Sequence, residues 1–438
     1  MQADLLITHA SQLLTIPAHD QGPQRGDRLG DLSIVADGAL AVSNGTIVDR
    51  GPTVDLAARY QAAHTIDASG RVVMPGFVDP HTHVVFAGDR ANEFERRIAG
   101  ATYMEIMQAG GGIMSTVRAT RAASVAELVD QTRARLDRML AHGTTTVEAK
   151  TGYGLEMTAE LKLLDVIARL AAEHPIELVP TFLGAHAIPA EYQGREGKYT
   201  DLVVNEMLPA VSAFSLQPSA LFCDVFCEAG AFTLAQSRRI LEKAKALGLG
   251  LKIHVDEFEP LGGTRLGVEL DAISVDHVVT TPQAEIELLG QSNTIAVSLP
   301  GTPFGLAQRD YTPAKAILAA GGALALATDL NPGTTWNESM QLIVALACRY
   351  LKLTQAQALA AATINAAYAI GRGAAIGSLE IGKQADVLIM EVNDYRSIGY
   401  RYGTNLVQTV IKRGKILETG FLPGGCKEIQ DGETRFLP

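Results

Sequence analysis

The sequence predicts an α/β protein in which a (β/α)8 barrel of the TIM type is inserted into a small β-sandwich made from both chain ends. Strand and helix patterns alternate through the middle of the chain, whereas both ends contain short strands and turns. The length of 438 residues is sufficient for a barrel and a second domain. We therefore expect the sandwich from residues 1–70 and 375–438, and the barrel from residues 71–374.

The N-terminal part is predicted to be all-β. Residues 5–7 and 13–16 are apolar runs that are expected to form two short strands. Two further strands are expected on either side of Asn44-Gly45, because Asn-Gly is a strong hairpin signal. Residues 17–30 are polar and rich in Gly and Pro, which predicts an exposed loop.

The middle of the chain contains eight segments with the pattern of buried strands. They are expected near 76–83, 143–150, 176–186, 221–228, 249–256, 273–278, 294–299 and 324–330. Helices fit between most of them, and capping boxes mark helix starts at Ser124, Thr233 and Thr354. Eight strand–helix units predict a parallel barrel, whose chemistry lies at the carboxyl ends of its strands.

The C-terminal part returns to the pattern of short strands. Residues 385–390 and 407–411 are predicted strands. A turn near 412–415 then leads to the apolar residues Ile416 and Leu417. These strands are expected to pair with those of the N-terminal part.

The chain is acidic, with 48 Asp and Glu against 37 Lys and Arg and a formal net charge of −11. This charge disfavours nucleic acid and anionic membranes as partners. We see no apolar run of membrane-spanning length, and the N-terminus lacks the features of a signal peptide. A cytoplasmic location is therefore expected. It follows that the four cysteines are expected to be reduced thiols: Cys223, Cys227, Cys348 and Cys426.

Four predicted barrel strands carry His or Asp where they end. His81 and His83 end the first strand and point to one face, because side chains alternate along a strand. His254 lies on the fifth strand, His277 ends the sixth and Asp329 ends the eighth. Any one of them alone could be a structural polar group, but all of them at one barrel end indicate a site.

Three neutral imidazoles and one carboxylate suit a divalent metal, and the expected ligands are His81, His83, His254 and Asp329. A metal there lowers the pKa of water, which makes hydroxide available near neutral pH. Glu257 follows the fifth strand and can move a proton from water to a leaving nitrogen. His277 is expected to orient the water or to stabilise the developing oxyanion.

Lys150 ends the second predicted strand, where it could serve a second metal. A salt bridge at the barrel rim is the simpler interpretation of this lysine. We therefore expect one metal ion.

These features together resemble the amidohydrolase superfamily, and the segment 75–83 resembles its common opening. Within it, residues from about 30 to 420 resemble a family of hydrolases of histidine breakdown, which open the ring of 4-imidazolone-5-propanoate to give N-formimidoyl-L-glutamate. The marks of this family are Phe86-Ala87-Gly88-Asp89-Arg90, Gly110-Gly111-Gly112-Ile113, Lys150-Thr151-Gly152-Tyr153-Gly154-Leu155, Phe182-Leu183-Gly184-Ala185-His186, His254-Val255-Asp256-Glu257 and Thr328-Asp329-Leu330-Asn331-Pro332-Gly333-Thr334.

The resemblance implies zinc or iron as the metal, since a site of three histidines and one aspartate suits both. It implies substrate contacts from Arg90, Tyr153, His186, Glu257 and Thr334. It implies product contacts from Tyr153, Asn331 and Gly333. The catalytic residues would be Glu257, His277 and Asp329. Barrels of this kind often pair through exposed helices, so a homodimer is expected.

The chemistry of the substrate agrees with these residues. A propionate needs a local cation in an acidic protein, and Arg90 can hold a carboxylate with two parallel hydrogen bonds. Taken alone, Arg90 could equally form a surface ion pair with Asp89 or Glu93. Tyr153 lies between two glycines, which let the backbone approach a ligand.

Two other functions share part of this evidence. An aminohydrolase that removes an exocyclic amine from a purine or pyrimidine would use the same metal and Glu257, but it gives no reason for Arg90. A non-catalytic paralogue kept as an assembly protein would be expected to lose metal ligands, and all four are present.

Overall fold

The computed structural model describes residues 1–100, 111–214, 221–418 and 427–428. Gly110 and Cys426 lie outside these ranges. Among the described cysteines, Cys223, Cys227 and Cys348 carry free thiols. None of the described helices combines the length and the apolar character that crossing a bilayer requires.

The chain begins with five strands: β1 (Gln2–Leu13), β2 (Val35–Ser43), β3 (Thr46–Pro52), β4 (Gln61–Asp67) and β5 (Val72–Pro75). β2 and β3 pair antiparallel around Asn44-Gly45, which confirms the predicted hairpin. The prediction of a separate strand at 13–16 was wrong, because β1 is one long strand that ends at Leu13. Leu14 and Ile16 beyond it are buried against the barrel core, and this packing explains their apolar character.

Eight parallel strands follow, and each of them overlaps one of the eight predicted segments. They are β6 (Phe77–Asp79), β7 (Thr144–Lys150), β8 (Glu177–Ala185), β9 (Phe222–Cys227), β10 (Gly250–Val255), β11 (Ser274–His277), β12 (Ile295–Ser298) and β13 (Leu324–Leu326). Each strand pairs with the next one in the chain. A bridge between Thr82 and Leu330 brings the first and last strands together. The predicted (β/α)8 barrel is therefore confirmed.

Helix α1 packs against β1, β2 and β3, and the other helices lie between or after the barrel strands. They are α1 (Thr53–Arg59), α2 (Ala91–Ile98), α3 (Ile113–Ala122), α4 (Val125–Ala141), α5 (Met157–Glu173), α6 (Glu196–Leu202), α7 (Leu208–Ala213), α8 (Leu234–Ala246), α9 (Gly263–Glu269), α10 (Gln283–Gly290), α11 (Gly301–Gly305), α12 (Ala314–Ala319), α13 (Met340–Tyr350), α14 (Gln355–Ala361) and α15 (Ile364–Ala369). Ser124, Thr233 and Thr354 form the predicted capping boxes of α4, α8 and α14.

The last strands are β14 (Val387–Met390), β15 (Val407–Lys412), β16 (Lys415–Glu418) and β17 (Lys427–Glu428). β14 pairs antiparallel with β5, and β5 pairs parallel with β1. Both ends of the chain therefore share one mixed sheet, as the sequence predicted, and this sheet is separate from the barrel.

The segment 17–30 is only in part the exposed loop that its composition predicted, since Asp20, Gln21, Asp27 and Arg28 are exposed and other residues are buried. Gln24 is fully buried, and its backbone N–H and C=O are bonded to the side chain of Asn365. Arg25 donates to the backbone carbonyls of Gly290, Ser292 and Gly321. The Arg25 side chain thus satisfies carbonyl groups at the turns that precede β12 and β13.

Candidate functional site

The first and last barrel strands meet through backbone hydrogen bonds beside the expected metal ligands. The N–H of Asp329 donates to the carbonyl of His81 at 3.1 Å, and the N–H of His83 donates to the carbonyl of Leu330 at 2.9 Å. We call these two bonds the barrel seam. They fix the backbone of two histidines and one aspartate in register, although these residues are far apart in the chain.

The donor atoms of the four expected ligands converge at the carboxyl end of the barrel. The Nε2 atoms of His83 and His254 lie 3.4 Å apart. The Oδ1 atom of Asp329 lies 3.6 Å from His81 Nε2 and 3.5 Å from His83 Nε2. All four side chains are buried, with at most 3% of each residue exposed.

This donor set fits a metal ion. His81 Nε2 is buried and has no hydrogen-bond partner among the described residues. Burial lowers the pKa of His81 and His83 well below the ordinary value, so that both rings are neutral and present lone pairs. A cation is the partner that suits lone pairs and a carboxylate oxygen directed at one point. The His81, His83 and His254 cluster therefore suggests a metal ion.

Polar groups on neighbouring strands orient these ligands. His81 Nδ1 lies 2.6 Å from Asp276 Oδ2, and His254 Nδ1 lies 2.9 Å from Asp224 Oδ2. The Thr302 hydroxyl donates to Asp329 Oδ2 at 2.5 Å. Contacts on the far side of a ligand fix its ring or carboxylate orientation and, for histidine, its tautomer.

A buried ion cluster lies beneath the ligands, formed by Glu148, Lys150, Asp224, Lys252 and Asp276, all with no exposed surface. Lys150 Nζ lies 2.6 Å from Asp224 and 2.9 Å from Glu148, and Lys252 Nζ lies 3.4 Å from Glu148. Both ammonium groups lie 3.7 Å from Asp276. Although burial opposes the charge, the carboxylates raise the pKa of Lys150 above its ordinary value.

The interpretation of Lys150 as a salt-bridged residue is confirmed, but its expected place at the barrel rim was wrong. The Lys150 side chain has no surface exposed to water. Lys150 consequently lies inside the barrel, where it balances the carboxylates that orient the ligand histidines.

Glu257 and His277 lie next to each other beside the ligand cluster. His277 Nδ1 lies 3.7 Å from Glu257 Oε2, and the His277 ring centroid lies 5.3 Å from that of His254. Burial, Asp329 and Glu228 all raise the pKa of the Glu257 carboxyl well above its ordinary value. His277 and Asp329 have φ values of 77° and 54°, a strained conformation that is common at functional sites.

His186 and Tyr153 form the wall next to His83. The His186 ring stacks on the His83 ring with centroids 4.8 Å apart and planes 13° apart. The Tyr153 ring centroid lies 5.8 Å from that of His83 and 5.3 Å from that of His186. Burial lowers the pKa of His186 to about 3, so this ring is neutral.

Arg90 is paired with Glu93, as one interpretation from the sequence expected, and its role in binding a substrate carboxylate stays a prediction. Its Nε donates to Glu93 at 2.8 Å. The Nη1 atom of Arg90 packs against Gly333. A Cβ atom built on Gly333 would lie only 2.3 Å from this Nη1. Asn331 Oδ1 accepts hydrogen bonds from the N–H groups of Gly333 and Thr334, both at 2.8 Å. The segment 331–334 is therefore a turn that also faces Arg90.

Two buried glutamates that the sequence analysis did not single out bind the backbone of site loops. Glu160 accepts from the N–H groups of Gly152, Gly154 and Leu155 at 2.7–3.1 Å. Glu228 accepts from three N–H groups of the loop that carries Glu257.

Sequence reasoning also passed over Glu148, Asp224, Lys252, Asp276 and Thr302. A usable signal for Glu148, Lys252 and Asp276 was a charged residue on a strand, two positions from another polar residue, whereas Asp224 was visible only as the single charge within an otherwise apolar strand.

The comparisons with known proteins agree with this fold. The model of the amidohydrolase family matches residues 72–417, and the chain belongs to this family. Two relatives carry the name imidazolonepropionase. The one from Herpetosiphon aurantiacus is 58% identical over 419 residues, which cover 95% of this chain and 97% of the relative. The one from Chloroflexus aggregans is 52% identical over 422 residues, which cover 95% and 99%.

Solved structures share the fold at lower identity. An adenosine deaminase from Xanthomonas campestris with bound zinc has a TM-score of 0.69 and 23% identity over 95% of this chain and 93% of that one. A triazine hydrolase variant has a TM-score of 0.73 and 17% identity over 95% and 94%. At such identities the likeness concerns the fold alone.

We predict that Asp276→Asn weakens metal binding by about 10–100-fold, because the amide no longer orients His81 as the carboxylate does. Metal affinity is measured by competition with a chromophoric chelator. Asp31→Asn is the matched control, since Asp31 contacts His19 at 2.9 Å away from the barrel mouth. Equal affinities of the Asp276 variant and the wild type would contradict the prediction.

Proposed function

We propose that this chain is an imidazolonepropionase, which hydrolyses the ring C–N amide bond of 4-imidazolone-5-propanoate to give N-formimidoyl-L-glutamate in histidine degradation. The observation that carries the proposal is the high identity to imidazolonepropionases along nearly the whole chain, up to 58% over 95% of it. The convergence of the four expected ligands beside Glu257 and Arg90 supports it.

We propose zinc or iron as the metal, held by His81, His83, His254 and Asp329. When bound, the ion supplies Lewis acidity and lowers the pKa of water towards neutrality. The chain contributes neutral rings and one carboxylate, and Asp276, Asp224 and Thr302 keep these ligands oriented.

Glu257 is proposed to carry the proton. A water oxygen adds to the ring carbonyl carbon, and the C–N bond to the ring nitrogen then breaks. Glu257 accepts the proton that water loses and delivers it to the leaving nitrogen. The raised pKa of the Glu257 carboxyl makes it a stronger proton acceptor than an ordinary glutamate. His277 orients the water or donates to the oxyanion, and its proximity to Glu257 supports either role.

The remaining residues are proposed to bind the organic groups. The Arg90 guanidinium binds the propionate, because its fork of N–H donors matches a carboxylate. His186 and Tyr153 contact the imidazolone ring from the wall next to His83. Thr334 contacts the substrate, and Asn331, Gly333 and Tyr153 contact the formimidoyl product. A homodimer and a cytoplasmic location remain predictions from the sequence.

We expect purified protein to accelerate the ultraviolet decay of freshly generated 4-imidazolone-5-propanoate, with formation of N-formimidoyl-L-glutamate. Chelation should abolish the decay, and zinc or iron should restore it, because the ion supplies the Lewis acid. No decay by the metal-loaded protein would contradict the proposed substrate. Ammonia release from purine or pyrimidine bases would then favour an aminohydrolase.

Glu257→Gln is expected to lower kcat by about 10²–10⁴-fold with unchanged metal content, because the amide cannot shuttle a proton. The same decay assay gives kcat, and metal analysis gives the content. Glu287→Gln on the exposed face of α10 is the control and should match the wild type. Near-normal kcat in Glu257→Gln would remove Glu257 from the mechanism.

Arg90→Gln is expected to raise KM by about 10–100-fold, the loss that corresponds to a charge-assisted hydrogen bond of about 1.5–3 kcal/mol. Steady-state kinetics measure this change. Arg169→Gln on the outer helix α5 is the control, since the Arg169 side chain is 56% exposed. An unchanged KM would mean that another group binds the propionate.

A further inference from the structure

Glu228 is a buried carboxylate to which the proposed mechanism gives no role. It directly follows β9, and only 2% of the residue is exposed. β9 lies next to β10, and Cys227 pairs with Val255 where the two strands end. The side chain of Glu228 therefore lies beside the loop that leaves β10 and carries Glu257.

The Glu228 carboxylate binds three successive backbone N–H groups of that loop. Oε2 accepts from Glu257 at 3.1 Å and from Phe258 at 3.0 Å, and Oε1 accepts from Glu259 at 3.1 Å. Oε1 also accepts from the N–H of Ala229 at 3.0 Å. Successive N–H groups around one anion form a concave nest, and its bonds to a charged acceptor are stronger than neutral ones.

Asp256 is anchored by hydrogen bonds from Val279, Thr280, Thr264 and Thr281, but beyond it other contacts hold residues 257–259 weakly. Phe258 is 47% exposed, and Glu259 is also exposed, so apolar packing restrains neither residue. The contact of Glu257 with His277 Nδ1 is 3.7 Å, which is longer than a hydrogen bond. The position of the Glu257 carboxylate therefore depends mainly on the backbone from which it projects.

We propose that Glu228 is a positioning residue, which fixes the backbone of residues 257–259 and thereby places the Glu257 carboxylate beside the reacting water and the leaving nitrogen. The inference rests on the proposed function, in which Glu257 carries the proton. The described hydrogen bonds of the Glu228 carboxylate are to backbone N–H groups of residues 229 and 257–259 and include none of the four expected ligands. The effect of Glu228 should therefore pass entirely through Glu257.

The test is a double-mutant cycle of Glu228→Gln and Glu257→Gln in the full-length, metal-loaded protein. Glu228→Gln keeps the shape of the side chain but loses its charge and one acceptor oxygen. We expect kcat to fall by about 10–100-fold with KM within about twofold, since a displacement of roughly 1 Å has this effect on a reacting group. In the Glu257→Gln background, Glu228→Gln should lower kcat by less than about threefold further.

Two independent readouts separate positioning from general destabilisation. Hydrogen exchange at the amides of residues 257–259 should accelerate in Glu228→Gln, while metal content stays at the wild-type value. Glu380→Gln is the matched control, because Glu380 also accepts from a backbone N–H, that of Ala18, and lies away from the site. This control should retain wild-type kcat.

The inference would be overturned if the kcat losses of the two single variants multiplied in the double variant, or if Glu228→Gln kept wild-type kcat. Either result would leave the proposed function intact. No hydrolysis by the wild type would overturn both. If Glu228→Gln does not fold, Glu228→Asp replaces it in the same cycle with the same criteria. Glu228→Asp keeps the charge but shortens the side chain by one methylene group, which moves the carboxylate away from the loop N–H groups. It should therefore lower kcat and leave KM unchanged.

Discussion

The barrel seam is the contact on which the site depends. It joins the segment after β6 to the segment after β13 by two backbone hydrogen bonds. Both segments lie just beyond the regular strands, where backbone groups would otherwise face the barrel mouth without partners. The Asp79 carboxylate strengthens the same junction, because it accepts from both the N–H and the hydroxyl of Thr328. Closure of the barrel and assembly of the ligand set are therefore one structural event.

The buried ion cluster determines how such a ligand set can exist inside a protein. Charges are costly to bury, and they persist only when they are paired and hydrogen-bonded. The cluster holds one more carboxylate than ammonium groups, and its excess negative charge lies directly beneath the converging imidazoles. Asp276 and Asp224 thus serve two purposes, since they pair with lysines below and orient His81 and His254 above.

The loops at the barrel mouth show a second common principle. Glu93, Glu160 and Glu228 each accept hydrogen bonds from backbone N–H groups of loops that carry or border site residues. Loops at a barrel mouth have little apolar surface to pack, so a buried or half-buried carboxylate is an effective restraint. Glu93 and Glu160 in this way order a loop of their own strand–helix unit, and Glu228 orders the loop that follows the neighbouring strand.

The sequence by itself determined the fold class, all eight barrel strands, the capping boxes at Ser124, Thr233 and Thr354, and the pairing of the two chain ends. These features follow from local periodicity, turn chemistry and strand order, which depend on residues close together in the sequence. Local pattern also identified His81, His83, His254 and Asp329 as residues of one barrel end, although their roles remain proposals. Only the tertiary structure decided that Lys150 is buried, that residues 17–30 pack against the barrel and that Glu228 binds the loop of Glu257. Each of these depends on which neighbours surround a polar side chain, and contacts between distant segments leave no periodic signal in the sequence.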